Sequence, residues 1–159
     1  MHFLCRRVPG FEESYVAQSG SETRCTGLPL RVLGCVDDIV VRRLDAHVVF
    51  LPMERDDVRH SPAALSRMAD PSRGRILHGA YRPREVLAFM PHLDLAVGMR
   101  LHFLMFAAMS GVPFLPLPYA GKVFDFAQDM GALALRRVAR AQTGLLLAEV
   151  DRLWDEHVA

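Results

Sequence analysis

In this sequence of 159 residues, two apolar runs lead within a few residues to a cationic side chain at the start of a helical stretch. In the first, Asp94-Leu95-Ala96-Val97 passes through Gly98 and Met99 into Arg100-Leu101-His102, where a helical stretch begins. Arginine offers a planar fork of N–H donors that matches carboxylate or phosphate, and histidine can carry or relay a proton near neutral pH. Backbone N–H groups at a helix start would face the same ligand. Arg100 and His102 therefore suit a small substrate that is both carboxylated and phosphorylated. The competing reading of so short a string is an arginine in a surface salt bridge beside a helix-capping histidine. In the second place, Pro118-Tyr119-Ala120-Gly121-Lys122 follows the run Pro113–Leu117 and puts an ammonium group at another helix start. Taken by itself, a lysine there is more often a solvated surface residue.

Two further strand ends carry polar groups. Glu54, Arg55, Asp56 and Asp57 follow the Phe-Leu-Pro-Met run, and His78 and Tyr81 follow Arg75-Ile76-Leu77. The acidic group can pair with the cations or orient a hydroxyl, or it is a solvated turn; for His78 the plainer reading is a hydrogen-bonded strand-end residue. A Gly-rich phosphate loop, an HExxH helix and a GxSxG elbow are all missing, so dinucleotide, metalloprotease and α/β-hydrolase chemistries have no motif behind them.

These residues must be positioned by an alternation of short β-rich runs and helical segments that starts at His47, the pattern of βαβ units and a parallel sheet. Strands are expected at His47–Met53, Arg75–His78, Asp94–Val97 and Pro113–Leu117, with a short one at Met1–Cys5. Helices are expected at Asp37–Ala46, Pro62–Asp70, Arg82–His92, Leu101–Ser110, Lys122–Met130 and Gln142–Glu156. Ser61 before Pro62 reads as an N-cap with proline at the first helical position, and Gly111 and Gly131 are placed to end their helices. In such a sheet, ligands bind beyond the carboxyl ends of the strands, which is where Arg100 and Lys122 fall. Leu101–Ser110 is apolar nearly all round and is expected to pack in the middle of its layer, whereas Leu146, Val150, Leu153 and Trp154 form one docking stripe.

Leu101–Tyr119 is apolar enough to raise the question of a membrane span. Gly111 and Pro113 interrupt it, and Pro116 and Pro118 follow, so a buried helix plus a buried strand is expected instead. With 51% hydrophobic and 23% charged residues, one domain with its own core is the default. Nineteen basic against eighteen acidic residues leave a net charge of +1, far from the basic balance of a nucleic-acid binder. Cys5, Cys25 and Cys35 show no CxxC spacing and suggest reduced thiols, neither a disulfide framework nor a metal site. Residues 8–36 have no clear period.

The string Gly98-Met99-Arg100-Leu101-His102, with Phe106-Ala107-Ala108, Gly111-Val112-Pro113, Tyr119 and Lys122, resembles the C-terminal domain of polysaccharide pyruvyl transferases. Val48-Val49-Phe50-Leu51-Pro52-Met53, Asp56, Val123-Phe124-Asp125-Phe126 and Met130-Gly131 are similar to the same family, and the likeness covers about residues 44–135. It implies an α/β fold with a Rossmann-like parallel sheet flanked by helices, like the C-terminal half of a GT-B fold. Residues 44–159 would form this domain, residues 1–43 would add a poorly matching first strand and loop, and the family's N-terminal, acceptor-side domain would be absent from this stretch.

The resemblance further implies that Arg100, Leu101 and His102 hold phosphoenolpyruvate, with Arg100 on its anionic groups and His102 as the catalytic proton carrier. Lys122 and Arg6 or Arg7 would assist the donor, and Asp56 and Tyr119 would support the acceptor side. It implies phosphoenolpyruvate as co-substrate with neither metal nor cofactor, and a cell-wall polysaccharide or its lipid-linked precursor as acceptor. The branch closest in appearance is the bacterial one that serves S-layer anchoring. It also implies a cytoplasmic location at the inner face of the membrane, and a separate chain supplying the missing domain, without which little transfer is expected. Ala120-Gly121 stands where the family usually has an acidic residue and proline. A GT-B nucleotide-sugar glycosyltransferase, or a non-catalytic truncated domain that binds anions or a partner, are the alternative readings.

Overall fold

The computed structural model describes residues 2–4, 41–117, 120–135 and 143–158. Among them are five short strands: β1 (His2–Leu4), β2 (Val48–Phe50), β3 (Gly74–Ile76), β4 (Ala96–Gly98) and β5 (Phe114–Pro116). Between and after them come α1 (Arg55–Leu65), α2 (Pro83–Phe89), α3 (Leu101–Met109), α4 (Gly121–Asp129) and α5 (Thr143–Val158), with residues 41–43 also helical. β2 pairs with β3 in parallel, Val48 opposite Gly74, and β4 pairs with β5 in parallel, Ala96 opposite Phe114. β1 runs antiparallel to β4, Phe3 opposite Val97, and also lies beside β2, so it departs from the all-parallel expectation.

Strand periodicity decides which way each side chain points, because successive residues face opposite sides of a sheet. Val48 and Phe50, Leu95 and Val97, and Leu115 and Leu117 enter one apolar cluster with Ala64 of α1 and Leu146 and Val150 of α5. The intervening Val49, Ala96 and Phe114 join a second cluster with Val86 of α2, Phe103, Leu104 and Ala107 of α3, and Val123 of α4. Both faces are thus covered by helices, which is why these strands read as continuous apolar runs. This is the Rossmann-like α/β architecture expected. Each fully buried Phe or Leu contributes about 1.5–3 kcal/mol of transfer free energy, and Phe50, Phe103, Leu104 and Leu115 are all completely buried.

Gly111 and Gly131 end α3 and α4 as their positions suggest. Both adopt positive φ, 68° and 67°, and each closes a paired turn. The Gly111 and Val112 N–H groups donate to the Ala108 and Ala107 carbonyls, and those of Gly131 and Ala132 to Gln128 and Ala127. A left-handed residue without Cβ is what that closure requires. The run Leu101–Leu117 is accordingly split into α3 and β5, and no described helix is long and apolar enough to cross a membrane. The stripe on α5 docks as expected, with Leu146 and Val150 wholly buried and Leu153 and Trp154 packed at their side.

Two further expectations need correcting. The helix assigned to begin at Pro62 starts at Arg55, and Ser61 is no cap but a buried interior residue whose hydroxyl donates to the Asp57 carbonyl at 2.7 Å. Proline inside a helix forfeits one backbone bond, yet the ladder continues past it from Ser66 N–H to the Pro62 carbonyl at 3.0 Å. Burial of Ala64 and Met68 downstream and of Asp57 upstream holds both turns in place. The second correction concerns α3, which is not enclosed: Phe103, Leu104 and Ala107 are buried, while His102 and Met105 are exposed and Met109 is 68% exposed. An outer-layer helix presents one side to the sheet and the other to solvent, whatever its apolar content.

Candidate functional site

The two parallel pairs bring four strand ends into play. The Leu77 N–H donates to the Phe50 carbonyl at 2.9 Å just past β2 and β3, and the Leu117 N–H donates to the Gly98 carbonyl at 2.7 Å just past β4 and β5. Arg100 sits two residues beyond β4 at the N-cap position of α3, in extended backbone conformation, and no side chain caps that helix. Its guanidinium reaches across to the segment that leaves β2. Nη1 donates to Glu54 Oε2 at 2.8 Å and Nη2 to Asp57 Oδ1 at 3.0 Å. These bonds join the carboxyl ends of β2 and β4, the place where an open α/β sheet offers a ligand site.

The two carboxylates differ in setting. Asp57, in the first turn of α1, has a side chain only 8% exposed, and its second oxygen accepts the Met53 N–H at 3.2 Å. Burial pushes its carboxyl up in pKa, but nearby positive charge, with the Arg100 hydrogen bond foremost, pulls it down, and the net value lies below the ordinary one. Glu54 occupies the N-cap position of α1 without making a cap bond, and its side chain is 59% exposed. Arg100 itself is 21% exposed. The salt-bridge reading and the anion-site reading thus meet in the same side chain.

Of the other residues singled out, Leu101 is half-buried against the second apolar cluster and serves to seat α3. His102, in the first turn of α3, is exposed, as is Lys122 in the first turn of α4. Since β4 and β5 are adjacent, these two turns follow neighbouring strands, but the structure shows no bond joining His102 or Lys122 to Arg100. Asp56 belongs to α1, with its side chain outside the described residues; Arg6, Arg7 and Tyr119 lie outside them altogether. Among the described residues no group of three or more His, Cys, Asp or Glu side chains is placed to hold a metal ion.

Sequence reasoning named the acidic cluster and singled out Asp56, whereas Asp57 takes the buried place on Arg100. The signal lay in the spacing: Glu54, Asp57 and Ser61, separated by three and four residues, share one side of a helix that begins at Arg55. Beginning that helix at Pro62 hid the stripe.

A second feature lies past β2 and β3. A cavity of about 540 Å³ is lined by Leu51, Leu77, Gly79, Ala80, Tyr81, Glu85, Val86 and Phe89. It is largely apolar. Its Glu85 carboxylate accepts the Arg82 N–H at 2.7 Å at the start of α2, and the Tyr81 hydroxyl donates to the His78 carbonyl at 3.4 Å. None of Arg100, His102 and Lys122 lines it, so this cavity and the cationic turn are separate places.

Comparison with known proteins assigns the chain. Neither a curated protein nor a solved structure matches it. The family model described as polysaccharide pyruvyl transferase matches residues 33–121, more than half of the chain. That span includes β2 to β5, Glu54, Asp57, Arg100 and His102, and stops one residue short of Lys122. With the matching span carrying both the layered α/β frame and the Arg100 turn, the chain belongs to the polysaccharide pyruvyl transferase family.

Proposed function

We propose that this chain binds phosphoenolpyruvate at the Arg100–His102 turn and takes part in transferring its enolpyruvyl unit to a polysaccharide as a ketal. One observation carries the reading: inside the family-matching span, Arg100 is fixed by two carboxylates at the open end of the sheet, beside the exposed His102. The acceptor would be a cell-wall polysaccharide or its lipid-linked precursor, of the kind used in S-layer anchoring, modified on the cytoplasmic side of the membrane.

In the reaction a proton adds to the methylene carbon of the donor, and C2 gains oxocarbenium character. One sugar hydroxyl adds to C2. A second hydroxyl then displaces phosphate and closes the ketal. Of the two hydroxyl protons released, one balances the proton taken up by the new methyl group and the other leaves with phosphate. Arg100 and the N–H groups at the start of α3 would hold the donor's charge, and His102 would give and take the protons. Lys122, at the start of the neighbouring helix, would add a second cation, and Asp56 would orient an acceptor hydroxyl. The chemistry itself calls for no metal or redox cofactor.

A nucleotide-sugar donor is the second reading, and the apolar cavity at Tyr81 and Phe89 favours it, because a base needs such a pocket. Calorimetry with phosphoenolpyruvate and with nucleotide sugars separates the two. The expected result is phosphoenolpyruvate binding that Arg100→Ala abolishes. Nucleotide-sugar binding that is tighter and depends on Arg100 would overturn the assignment.

A further inference from the structure

Arg100 is held by two acids on two different nitrogens, and they are not equivalent. Asp57 is built in: its side chain is buried, its other oxygen takes the Met53 N–H, and the Ser61 hydroxyl bonds to its carbonyl within α1. Glu54 is not. It projects from the position before α1, mostly in solvent, and reaches Arg100 through a single oxygen on Nη1. An exposed ion pair exchanges readily, because water and ordering entropy offset most of its attraction, whereas a buried acid cannot leave its cation without a large desolvation cost.

We infer that Glu54 is a displaceable occupant of the Arg100 site, standing where an anionic group of the donor binds, and that Asp57 is the positioning residue that keeps the guanidinium aimed while the exchange takes place. This rests on the donor reading above. The Glu54 carboxylate has the geometry and charge of the donor's own carboxylate, and it competes for the same nitrogen. Ligand entry then exchanges one carboxylate–arginine pair for another. The swap favours a dianionic or trianionic ligand over a monoanion, since Glu54 already supplies a single negative charge.

The test is calorimetric titration of the whole chain with phosphoenolpyruvate, and with pyruvate and inorganic phosphate separately, using the wild type, Glu54→Gln, Asp57→Asn and Arg100→Ala. Glu54→Gln should tighten phosphoenolpyruvate binding by about fivefold, the amount by which an exposed pair competes, and should improve pyruvate binding as well. Asp57→Asn should weaken phosphoenolpyruvate binding by about tenfold or more, with near-native far-ultraviolet dichroism. If Asp57→Asn does not fold, the Glu54→Gln arm decides alone, since that exposed side chain is in no core. Phosphoenolpyruvate binding that needs Arg100 but is unchanged or weaker in Glu54→Gln would overturn this inference and leave the donor reading standing. Absence of any Arg100-dependent phosphoenolpyruvate binding would overturn both.

Discussion

Among the described residues, Arg100 and Arg152 each lie between two carboxylates. Arg152 on α5 bonds to Glu149 at 2.7 and 2.9 Å and to Glu156 at 2.6 Å, all within one helix at spacings of three and four residues. Arg100 bonds to Glu54 and Asp57, the latter 43 residues away in sequence. The bond lengths are alike, but the surroundings are not. Arg152 is 48% exposed, and its pairs raise its already high pKa without changing its charge state. Arg100 faces a buried acid whose pKa it lowers, at the junction of two strand ends. Contact geometry alone therefore says little about what an ion pair does; the depth of the partner and the elements it joins decide.

That contrast can be broken first at Arg100. Arg100→Ala should lower stability by about 3 kcal/mol in denaturant titration, because the buried Asp57 carboxylate loses its hydrogen-bonded guanidinium. An unchanged midpoint with lost phosphoenolpyruvate binding would mean that Arg100 acts on ligand alone and that its salt bridge is incidental.

Acid titration offers a smaller effect. The folded-state carboxyl of Asp57 lies below its ordinary value, so its contribution is complete above the usual carboxylate range and is lost as pH falls through the lowered value. Wild-type stability should decline below about pH 4, and Asp57→Asn should decline less steeply over the same window. Parallel pH profiles for the two proteins would show that the Arg100–Asp57 pair has no net linkage.

The smallest effect is expected at the other arginine. Arg152→Ala should leave the melting temperature unchanged within error, since exposed pairs on one helix face contribute little and are screened by salt. A clear drop in melting temperature that disappears at high salt would place the two arginines closer together than their surroundings suggest.

Much of this was legible before folding. Short β-rich runs of four to seven residues gave strands β2 to β5, Gly111 and Gly131 gave the ends of α3 and α4, and the four-residue stripe on α5 gave its docking face, because all these signals depend on neighbours in the chain. The Arg100-Leu101-His102 string likewise marked a helix start after a strand. The start of α1 was not legible, since Pro62 is a strong local signal for a first helical residue and only tertiary burial overrides it. Nor was the open side of α3, where Met105 and Met109 look no different from core residues in sequence.

The sequence by itself determined the alternation of elements, the apolar faces and the presence of a cation at the mouth of the sheet, each a matter of residue type and short spacing. Only the tertiary structure decided that Asp57, and not its neighbour Asp56, meets that cation, and that Glu54 stands exposed on its other nitrogen. Charge pairing between segments 43 residues apart depends on how the β2 and β4 ends are brought together. No local period encodes it, because electrostatic attraction acts through space and the distance is set by packing.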